Sequence, residues 1–409
     1  MVLLVYGGIG YMVRKLARTV AGIVAGGAIV AAGPGAAQAA QSPAAVVAVT
    51  CSASALTGAM NAVTSGETLS LASGCVYALA NGLPVVTVDL VIDGNGATLQ
   101  GISAPGTPPV LLQLNTGNVT INGLNFRDGG GGAILLNGYD FNSLTVNGGT
   151  FTDNTTGASG SGGAIDEAFS GAFLSVNGAT FTGNSAGSGG AIFEYGNAEI
   201  IHSTFTGNTA TQGGAVASDP VNGTSISDSV LRDNSATDGG GIYSYQYIGL
   251  SGSEILDNHA LQGGGLYENY SQVGVSGTVF RGNSAQDGAG IYLIDGTSAT
   301  FTDTTIAGNK ASSYGGGIDD EPPYRSPPGQ LSLTDDTVSG NYAGESGGGI
   351  YNDSGWITAV GTAIIGNIAA IAGGIGAPGG ATTTLTTSPV RGNSPDNCEP
   401  VGSITGCTG

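Results

Sequence analysis

Basic residues are scarce in this sequence. Only 9 lysines and arginines stand against 29 aspartates and glutamates among its 409 residues. Proteins gain affinity for nucleic acid by neutralising phosphates with basic side chains, so this composition excludes a nucleic-acid partner. It also disfavours acidic polysaccharides, unless a cation bridges the two acidic surfaces. We expect no cofactor, with calcium as the one ion that the acidic residues could recruit.

Cysteine and histidine are rarer still. The chain has 4 cysteines and 2 histidines, without a Cys-x-x-Cys pair or a Cys/His cluster, which excludes a typical zinc site. Cys51 and Cys75 lie in the N-terminal part of the chain, and Cys398 and Cys407 lie in the C-terminal part. These positions predict one local disulfide in each part, and such bonds persist in exported proteins.

Only the N-terminal segment contains a long apolar run. The basic stretch Met12–Arg18 precedes apolar residues 19–33, and Ala37–Ala39 fits a signal-peptidase site. A membrane anchor is the alternative, but this run is shorter than the ~20 residues that span a bilayer. We expect a secreted or cell-surface protein whose residues 1–39 are a signal peptide, with Met12 as an alternative start. We expect no membrane span in the mature chain.

Sustained helical periodicity is absent beyond residue 65, whereas glycine is abundant at 76 residues. The glycines belong to a repeat with a period of about 25 residues. Each copy has an asparagine, an apolar residue three positions before it, and a Gly-Gly-Ala-Ile-like element after it. Alternating apolar residues, such as Leu174 and Val176, indicate a further short strand in each copy. The repeated asparagines are Asn154, Asn184, Asn208, Asn234, Asn258, Asn283, Asn309, Asn341, Asn367 and Asn393.

A repeat of this length with three short extended segments is typical of one coil of a parallel β-helix. The predicted fold class is therefore all-β, a single-stranded right-handed parallel β-helix of about 11–13 coils. Residues 52–63 carry apolar residues on one helical face and predict a short cap helix. We expect an N-terminal cap and first coil at residues 40–89, repeats at 90–393 and a C-terminal cap at 394–409.

Each repeated residue has a structural role in such a fold. The apolar residues form the core, because no single coil can bury its own apolar face. The stacked asparagines form a ladder of side-chain hydrogen bonds. Glycine or aspartate directly before each asparagine supplies a turn position that tolerates positive φ.

The segments FTGNSAGSGGAI, FTGNTATQGGAV and FRGNSAQDGAGI resemble the paired FxxN and GGA[ILV] repeats of the polymorphic outer-membrane protein family. The segment CSASALTGAMNAV resembles the N-terminal part of secreted β-helix proteins of actinobacteria. The resemblance implies a β-helix that is displayed at the cell surface and acts in adhesion. The family carries its repeats on a C-terminal outer-membrane barrel. Since residues 394–409 follow the repeats here, we expect a secreted version without that barrel.

Acidic residues recur two positions after the Gly-Gly-Ala-Ile element. Glu167 and Glu194 belong to adjacent coils, and carboxylates about 5 Å apart are the arrangement of retaining glycosidases. Asp320 holds the same position, and Asp319–Asp320 is similar to the paired aspartates of galacturonases, whose other motifs this sequence lacks. Glu167, Glu194 and Asp320 are therefore the catalytic candidates. The same position in other coils favours a tolerant turn, because it holds Ser218, Ser244, Leu293 and Asn352.

The two histidines have no evident catalytic context. His259 follows Asn258 at a position that varies between coils, so we expect it to face solvent. His202 occupies a position that holds glycine or aspartate in other coils. Neither has a serine or cysteine partner that the repeat implies, which argues against a nucleophilic triad.

Two groups of residues are candidates for ligand binding. Tyr243, Tyr267 and Tyr292 occupy one position on consecutive coils and predict a stacked ladder, either a platform for sugar rings or an exposed structural ladder. The insertion DDEPPYRSPPG, residues 319–329, is the other, because insertions in repeat proteins concentrate on the binding face. A plain variable loop is the alternative. The candidates in the insertion are Asp319, Asp320, Glu321, Tyr324 and Arg325.

The uniform repeat, the scarcity of catalytic residue types and the family resemblance predict a non-enzymatic protein. Its expected role is adhesion, or binding to a polysaccharide or another component of the cell surface or envelope. The alternative is a polysaccharide hydrolase or lyase that acts on a neutral or calcium-bridged glycan. Carboxylates that converge in a groove would distinguish the enzyme from a scaffold with uniform ladders.

Overall fold

The structure, a computed structural model, describes residues 45–407 with gaps at 103–108, 169–171, 220–222, 246, 295, 322–328, 354, 379–380 and 402–403, and it describes only the backbone of residues 139–142. The predicted signal peptide, residues 1–39, therefore lies outside the described residues. The same holds for Tyr324 and Arg325 of the insertion.

Each coil passes through three rows of short strands. Row A starts at the apolar residue that ends the Gly-Gly-Ala-Ile-like element. Row B follows row A after a turn. Row C contains the apolar residue three positions before each asparagine. Strands of one row pair in parallel on consecutive coils. Row C alone contributes 13 strands to a single sheet, which confirms the predicted parallel β-helix.

Two long strands, Leu112–Asn122 and Ile134–Asn147, run through rows A and B and join them into one 24-stranded sheet. The other strands of row A are Ile165–Glu167, Ile192–Glu194, Val216–Ser218, Ile242–Ser244, Leu266–Asn269, Ile291–Ile294, Ile318–Asp320, Ile350–Asn352, Ile375–Gly376 and Cys398–Glu399. The other strands of row B are Val46–Val49, Glu67–Leu71, Leu90–Asp93, Phe173–Asn177, Asn197–Ile201, Gly223–Ser227, Tyr247–Ser251, Gln272–Ser276, Ser298–Thr302, Gln330–Thr334, Trp356–Val360 and Thr382–Thr386.

Row C consists of Val76–Leu79, Thr98–Gly101, Asn125–Arg127, Thr150–Thr152, Thr180–Thr182, Thr204–Thr206, Val230–Arg232, Glu254–Leu256, Val279–Arg281, Thr305–Ala307, Thr337–Ser339, Ala363–Ile365 and Val390–Arg391. Two small sheets follow the asparagines. One pairs Thr155–Ser161 with Ser185–Ser188, and the other contains Ser284–Ala285, Lys310–Ala311 and Tyr342–Ala343.

The core is a set of stacked apolar columns. In row C, the rings of Phe126, Phe151, Phe181 and Phe205 stack with centroid distances of 4.9, 4.7 and 4.6 Å, close to the ~4.8 Å spacing of neighbouring strands. These rings are completely buried. The strand spacing therefore sets a ring-stacking distance that aromatic side chains also favour.

The asparagine ladder occupies the turn after row C. The side-chain oxygen of Asn258 accepts hydrogen bonds from the backbone N–H (2.9 Å) and the side-chain amide (3.0 Å) of Asn234. Its own amide donates to the carbonyl of Leu231 and to the oxygen of Asn283. Other coils repeat this pattern, and Gly129 N–H donates to Asn154 at the start of the ladder. The ladder thus satisfies turn backbone that no water reaches.

The residue before each ladder asparagine adopts the left-handed conformation, as predicted. φ is +51° at Asp153, +65° at Gly183 and +51° at Asp257. Glycine has no Cβ to oppose this geometry, and aspartate tolerates it better than most other residues.

Both predicted disulfides are present, Cys51–Cys75 and Cys398–Cys407. The predicted cap helix extends over Ala53–Ala62, and the Ser52 side chain accepts a hydrogen bond from the N–H of Ala55 at its start. Its buried residues Leu56 and Met60 join the core at the N-terminal coil. None of the helices in the part of the chain that the structure describes has the length and apolarity that crossing a membrane requires.

We expect Asn258→Ala to destabilise the fold by about 2–5 kcal/mol, because it leaves a buried N–H of Asn234 and a buried carbonyl of Leu231 without their partner. Urea unfolding followed by circular dichroism measures the change. Asn177→Ala is the matched control, since Asn177 is exposed on row B, and it should change stability by less than ~0.5 kcal/mol. Equal effects of the two substitutions would contradict a structural role for the ladder.

Candidate functional site: the outward face of row A

The outward face of row A brings together four of the predicted binding residues, Tyr243, Tyr267, Tyr292 and Asp319. Within each of these short strands, the first and third residues face the core and the second faces outward. The parallel register stacks the second residues from coil to coil. This outward column consists of Leu135, Asp166, Phe193, Ala217, Tyr243, Tyr267, Tyr292, Asp319, Tyr351 and Gly376.

The predicted tyrosine ladder is part of this column. Ring centroids are 5.2 Å apart for Tyr243–Tyr267 and 5.2 Å apart for Tyr267–Tyr292, with 16° and 26° between the ring planes. The predicted stacking is present, but Tyr267 and Tyr292 are only 8% and 4% exposed, so these two rings do not offer a flat platform for sugars. Stacking turns the ring faces toward neighbouring rings, so the ladder presents edges and hydroxyls. The Tyr292 hydroxyl accepts a hydrogen bond from the Gln262 amide at 3.2 Å.

Polar residues flank the outward column on both sides. On the side that precedes each strand, bridges between coils align Ser188, Gln212, Asp238, Gln262 and Asp287. On the side that follows the strand lie Asp219, Tyr245, Asn269, Glu321 and Asp353. No basic residue occurs in these two sets or in the outward column. The face therefore combines aromatic rings with carboxyls, amides and hydroxyls under a negative potential.

Two depressions lie where a small residue stands beside an aromatic ring in the outward column. One, of about 350 Å³, is bounded by Phe193, Ala217 and Tyr243. The other, of about 280 Å³, borders Tyr351 and Gly376. Six coil steps separate Ala217 from Gly376, about 29 Å at the ~4.8 Å strand spacing. In the sequence, the two depressions are indicated by the small residues Ala217 and Gly376, which stand at a position that is aromatic in most of the coils between them.

The third residues of the row A strands form a buried polar column beneath this face. Glu167, Glu194 and Glu268 are completely buried, so the interpretation of this position as a tolerant turn is wrong. The position is inward because row A side chains alternate. Thr224 donates a hydrogen bond to Glu194 at 2.7 Å. The column consists of Leu136, Glu167, Glu194, Ser218, Ser244, Glu268, Leu293, Asp320 and Asn352.

Burial favours the neutral form of these carboxyls. It raises the pKa of Glu167, and the nearby charge of Glu194 raises it further. Burial also raises the pKa of Glu194, which the hydrogen bond from Thr224 partly offsets. The pKa of Asp320 rises to about 7, mainly through burial and also through Glu321. A catalytic acid must be within hydrogen-bonding reach of the substrate, and these carboxyls lie behind the wall of row A.

The acidic residues of the insertion separate into different environments. Asp319 faces outward between Tyr292 and Tyr351 but is completely buried, and neither of its carboxyl oxygens has a hydrogen-bond partner. Burial raises its pKa well above the usual range, and the charges of Glu321 and then Asp287 add to this. Asp320 faces the core, and Glu321 is half-buried. Among the described residues, no three His, Cys, Asp or Glu side chains form a group that could hold a metal ion.

His259 has a serine partner, contrary to the sequence interpretation. Its Nδ1 lies 3.0 Å from Oγ of Ser284, which occupies the same position on the next coil. His259 is exposed, and in the described part of the chain it forms no ion pair with a carboxylate. The orienting acid of a triad is therefore missing from this pair. His202 is also exposed and lies 3.7 Å from Asp228.

Comparison with known proteins supports the class of fold. Residues 189–364 match the family model described as right handed beta helix region, and residues 178–193 match the Chlamydia polymorphic membrane protein repeat. The described repeats thus form a right-handed parallel β-helix whose repeats are similar to those of polymorphic membrane proteins.

Among solved structures, the chain has a match to tailspike protein 3 of bacteriophage CBA120. The similarity covers 86% of this chain and 59% of the tailspike, with 13% sequence identity and a TM-score of 0.43. This chain therefore spans less than two thirds of the tailspike's length. No curated protein matches the chain.

We expect the stability of the fold to fall as the pH rises. A carboxyl with a raised folded-state pKa binds its proton more tightly in the folded chain, so its stabilising effect is complete below the unfolded value near 4.5. The effect is lost as the pH rises through the raised values of Glu167 and Glu194. The unfolding midpoint should therefore be higher at about pH 5 than at about pH 8.

Glu167→Gln should remove part of this pH dependence. The neutral amide has the shape of the protonated acid, so the variant should be more stable than the native chain at about pH 8, by ~1.4 kcal/mol for each unit of pKa shift removed. Thermal unfolding at several pH values measures the effect. Glu254→Gln, at an exposed position, is the control and should leave the pH profile unchanged. If Glu167→Gln kept the pH dependence of the native chain, the raised pKa of buried Glu167 would not be the cause of that dependence.

Proposed function

We propose that the protein is a secreted or cell-surface β-helix that binds a neutral polysaccharide through the outward face of row A and does not cleave it. The observation that carries the proposal is the depression beside Ala217, where two aromatic side chains and polar side chains meet on an otherwise uniform wall. A second depression on the same face, beside Tyr351, repeats this combination.

The chemistry of this face suits sugar rings. A pyranose presents C–H groups on its faces and hydroxyls around its edge, so it needs apolar aromatic surface and convergent polar groups together. Asp219, Gln212 and Tyr245 provide such polar groups beside Phe193 and Tyr243. The described part of this face contains no basic residue, which favours a neutral glycan over an acidic one, because like charges repel.

The positions of the predicted catalytic carboxyls support binding without cleavage. Glycoside hydrolysis needs two carboxyl groups that flank the scissile bond. Glu167 and Glu194 are 0% exposed and Asp320 is 2% exposed, so all three lie under the wall that a glycan would contact. The hydrolase or lyase alternative therefore finds less support than binding.

A location outside the cytoplasm is supported by several features. The two disulfides suit an oxidising compartment, and residues 12–39 have the pattern of a signal peptide. The resemblance of the repeats to polymorphic membrane proteins adds display at the cell surface and adhesion as the setting for glycan binding.

Retention on insoluble neutral polysaccharides tests the proposal, with cellulose, mannan and xylan as probes. We expect retention on at least one, and about tenfold weaker binding for Phe193→Ala and Tyr351→Ala, since each removes a ring that borders a depression. Trp356→Ala removes a ring that is 52% exposed on row B and should bind like the native chain.

Circular dichroism and thermal unfolding are the controls that check whether each variant is folded. Release of soluble sugars from a probe would contradict the non-enzymatic assignment. Absence of retention on every probe would contradict the glycan-binding proposal itself.

A further inference from the structure

The outward column of row A lacks one ring between two aromatic residues. Phe193, Ala217 and Tyr243 are direct register neighbours on three consecutive coils. The next two coils continue with Tyr267 and Tyr292, whose rings stack without a gap. Ala217 is only 1% exposed, and it lines the depression with a methyl group where the coils on either side carry rings.

The size of the gap corresponds to one ring. Two coil steps amount to about 9.6 Å at the ~4.8 Å strand spacing. The tyrosines of this column stack with centroids 5.2 Å apart, so a third ring between Phe193 and Tyr243 would lie at ordinary stacking distance from both. Tyr243 is half-buried, and its other face is covered by Tyr267.

The rim of the gap is polar. Gln212, Asp219 and Tyr245 line the same depression, and a serine, Ser188, lies beside them. An amide, a carboxyl and hydroxyls at the edge of a ring-sized space match the hydroxyl groups of a sugar. A purely aromatic guest would leave these groups without new hydrogen-bond partners, at a cost in free energy.

We propose that one neutral pyranose unit of the bound glycan inserts above Ala217, between the rings of Phe193 and Tyr243, with its hydroxyls hydrogen-bonded to Asp219 and Gln212. This inference rests on the proposed function and assigns the principal sugar subsite to one position of the wall. Ala217 then determines binding through its small size, because any large side chain at this position would occupy the space of the sugar.

The test is to fill the gap. Ala217→Tyr introduces the residue that the next three coils carry at this position, so the strand should accommodate it and the ring should join the ladder. We expect at least a tenfold loss of affinity with no fall in the unfolding temperature. The probes are soluble hexasaccharides of glucose, mannose and xylose, measured by titration calorimetry.

Two further variants complete the design. Thr300→Tyr adds the same ring at an exposed position of row B and should bind like the native chain. Asp219→Asn keeps the size of the side chain but changes its hydrogen-bonding groups, and should weaken binding about threefold to tenfold. This second variant tests the subsite even if Ala217→Tyr fails to fold.

The outcomes separate this inference from the proposed function. Loss of binding in Ala217→Tyr, or in Asp219→Asn where Ala217→Tyr does not fold, with Thr300→Tyr unaffected, supports the subsite. Native affinity in Ala217→Tyr and Asp219→Asn, together with weaker binding in Tyr351→Ala, overturns the subsite and leaves glycan binding on row A intact. Absence of binding by the native chain to all three hexasaccharides and to the insoluble probes overturns both.

Discussion

In-register pairing of parallel strands is the constraint on which the rest of this molecule depends. Because each coil hydrogen-bonds to the next with little shift in register, a side chain at one position meets the corresponding side chain of the next coil about 4.8 Å away. Residues that interact well with copies of themselves are therefore favoured. The stacked phenylalanines at 4.6–4.9 Å and the asparagine ladder are two such cases, one apolar and one hydrogen-bonded. Neither could form within a single coil.

The same constraint makes the buried glutamates unusual. Two carboxylates on neighbouring coils would repel each other strongly in an interior that water does not reach. The column accommodates them in two ways, through raised pKa values at Glu167 and Glu194 and through the hydroxyl residues Ser218 and Ser244 that separate Glu194 from Glu268. Buried acids in a β-helix thus have a structural explanation, and their presence alone does not indicate catalysis.

Specific binding on such a wall requires an interruption of its uniform columns. A stacked aromatic column uses its ring faces internally, and Tyr267 and Tyr292 show how little of each ring then remains exposed. At Ala217 the column carries only a methyl group and at Gly376 only a hydrogen atom, next to coils that carry aromatic rings, and aromatic surface lies beside polar groups at both places. Both depressions lie on the acidic, aromatic face of row A.

The sequence by itself determined the fold, the asparagine ladder and the positive-φ turns, because a repeat of about 25 residues fixes which side chains stack. Both disulfides also followed from the sequence, because the four cysteines occur as one pair in each terminal part of the chain. The same periodicity aligns Tyr243, Tyr267 and Tyr292, and it also places His259 and Ser284 at one position of neighbouring coils. Only the tertiary structure decided which of these residues a ligand can reach. It placed Glu167, Glu194 and Asp320 inside, and it covered Asp319 although that residue faces outward. Periodicity specifies neighbours along a column, whereas exposure depends on the turns and adjacent columns that pack around it, and these form only when the whole coil closes.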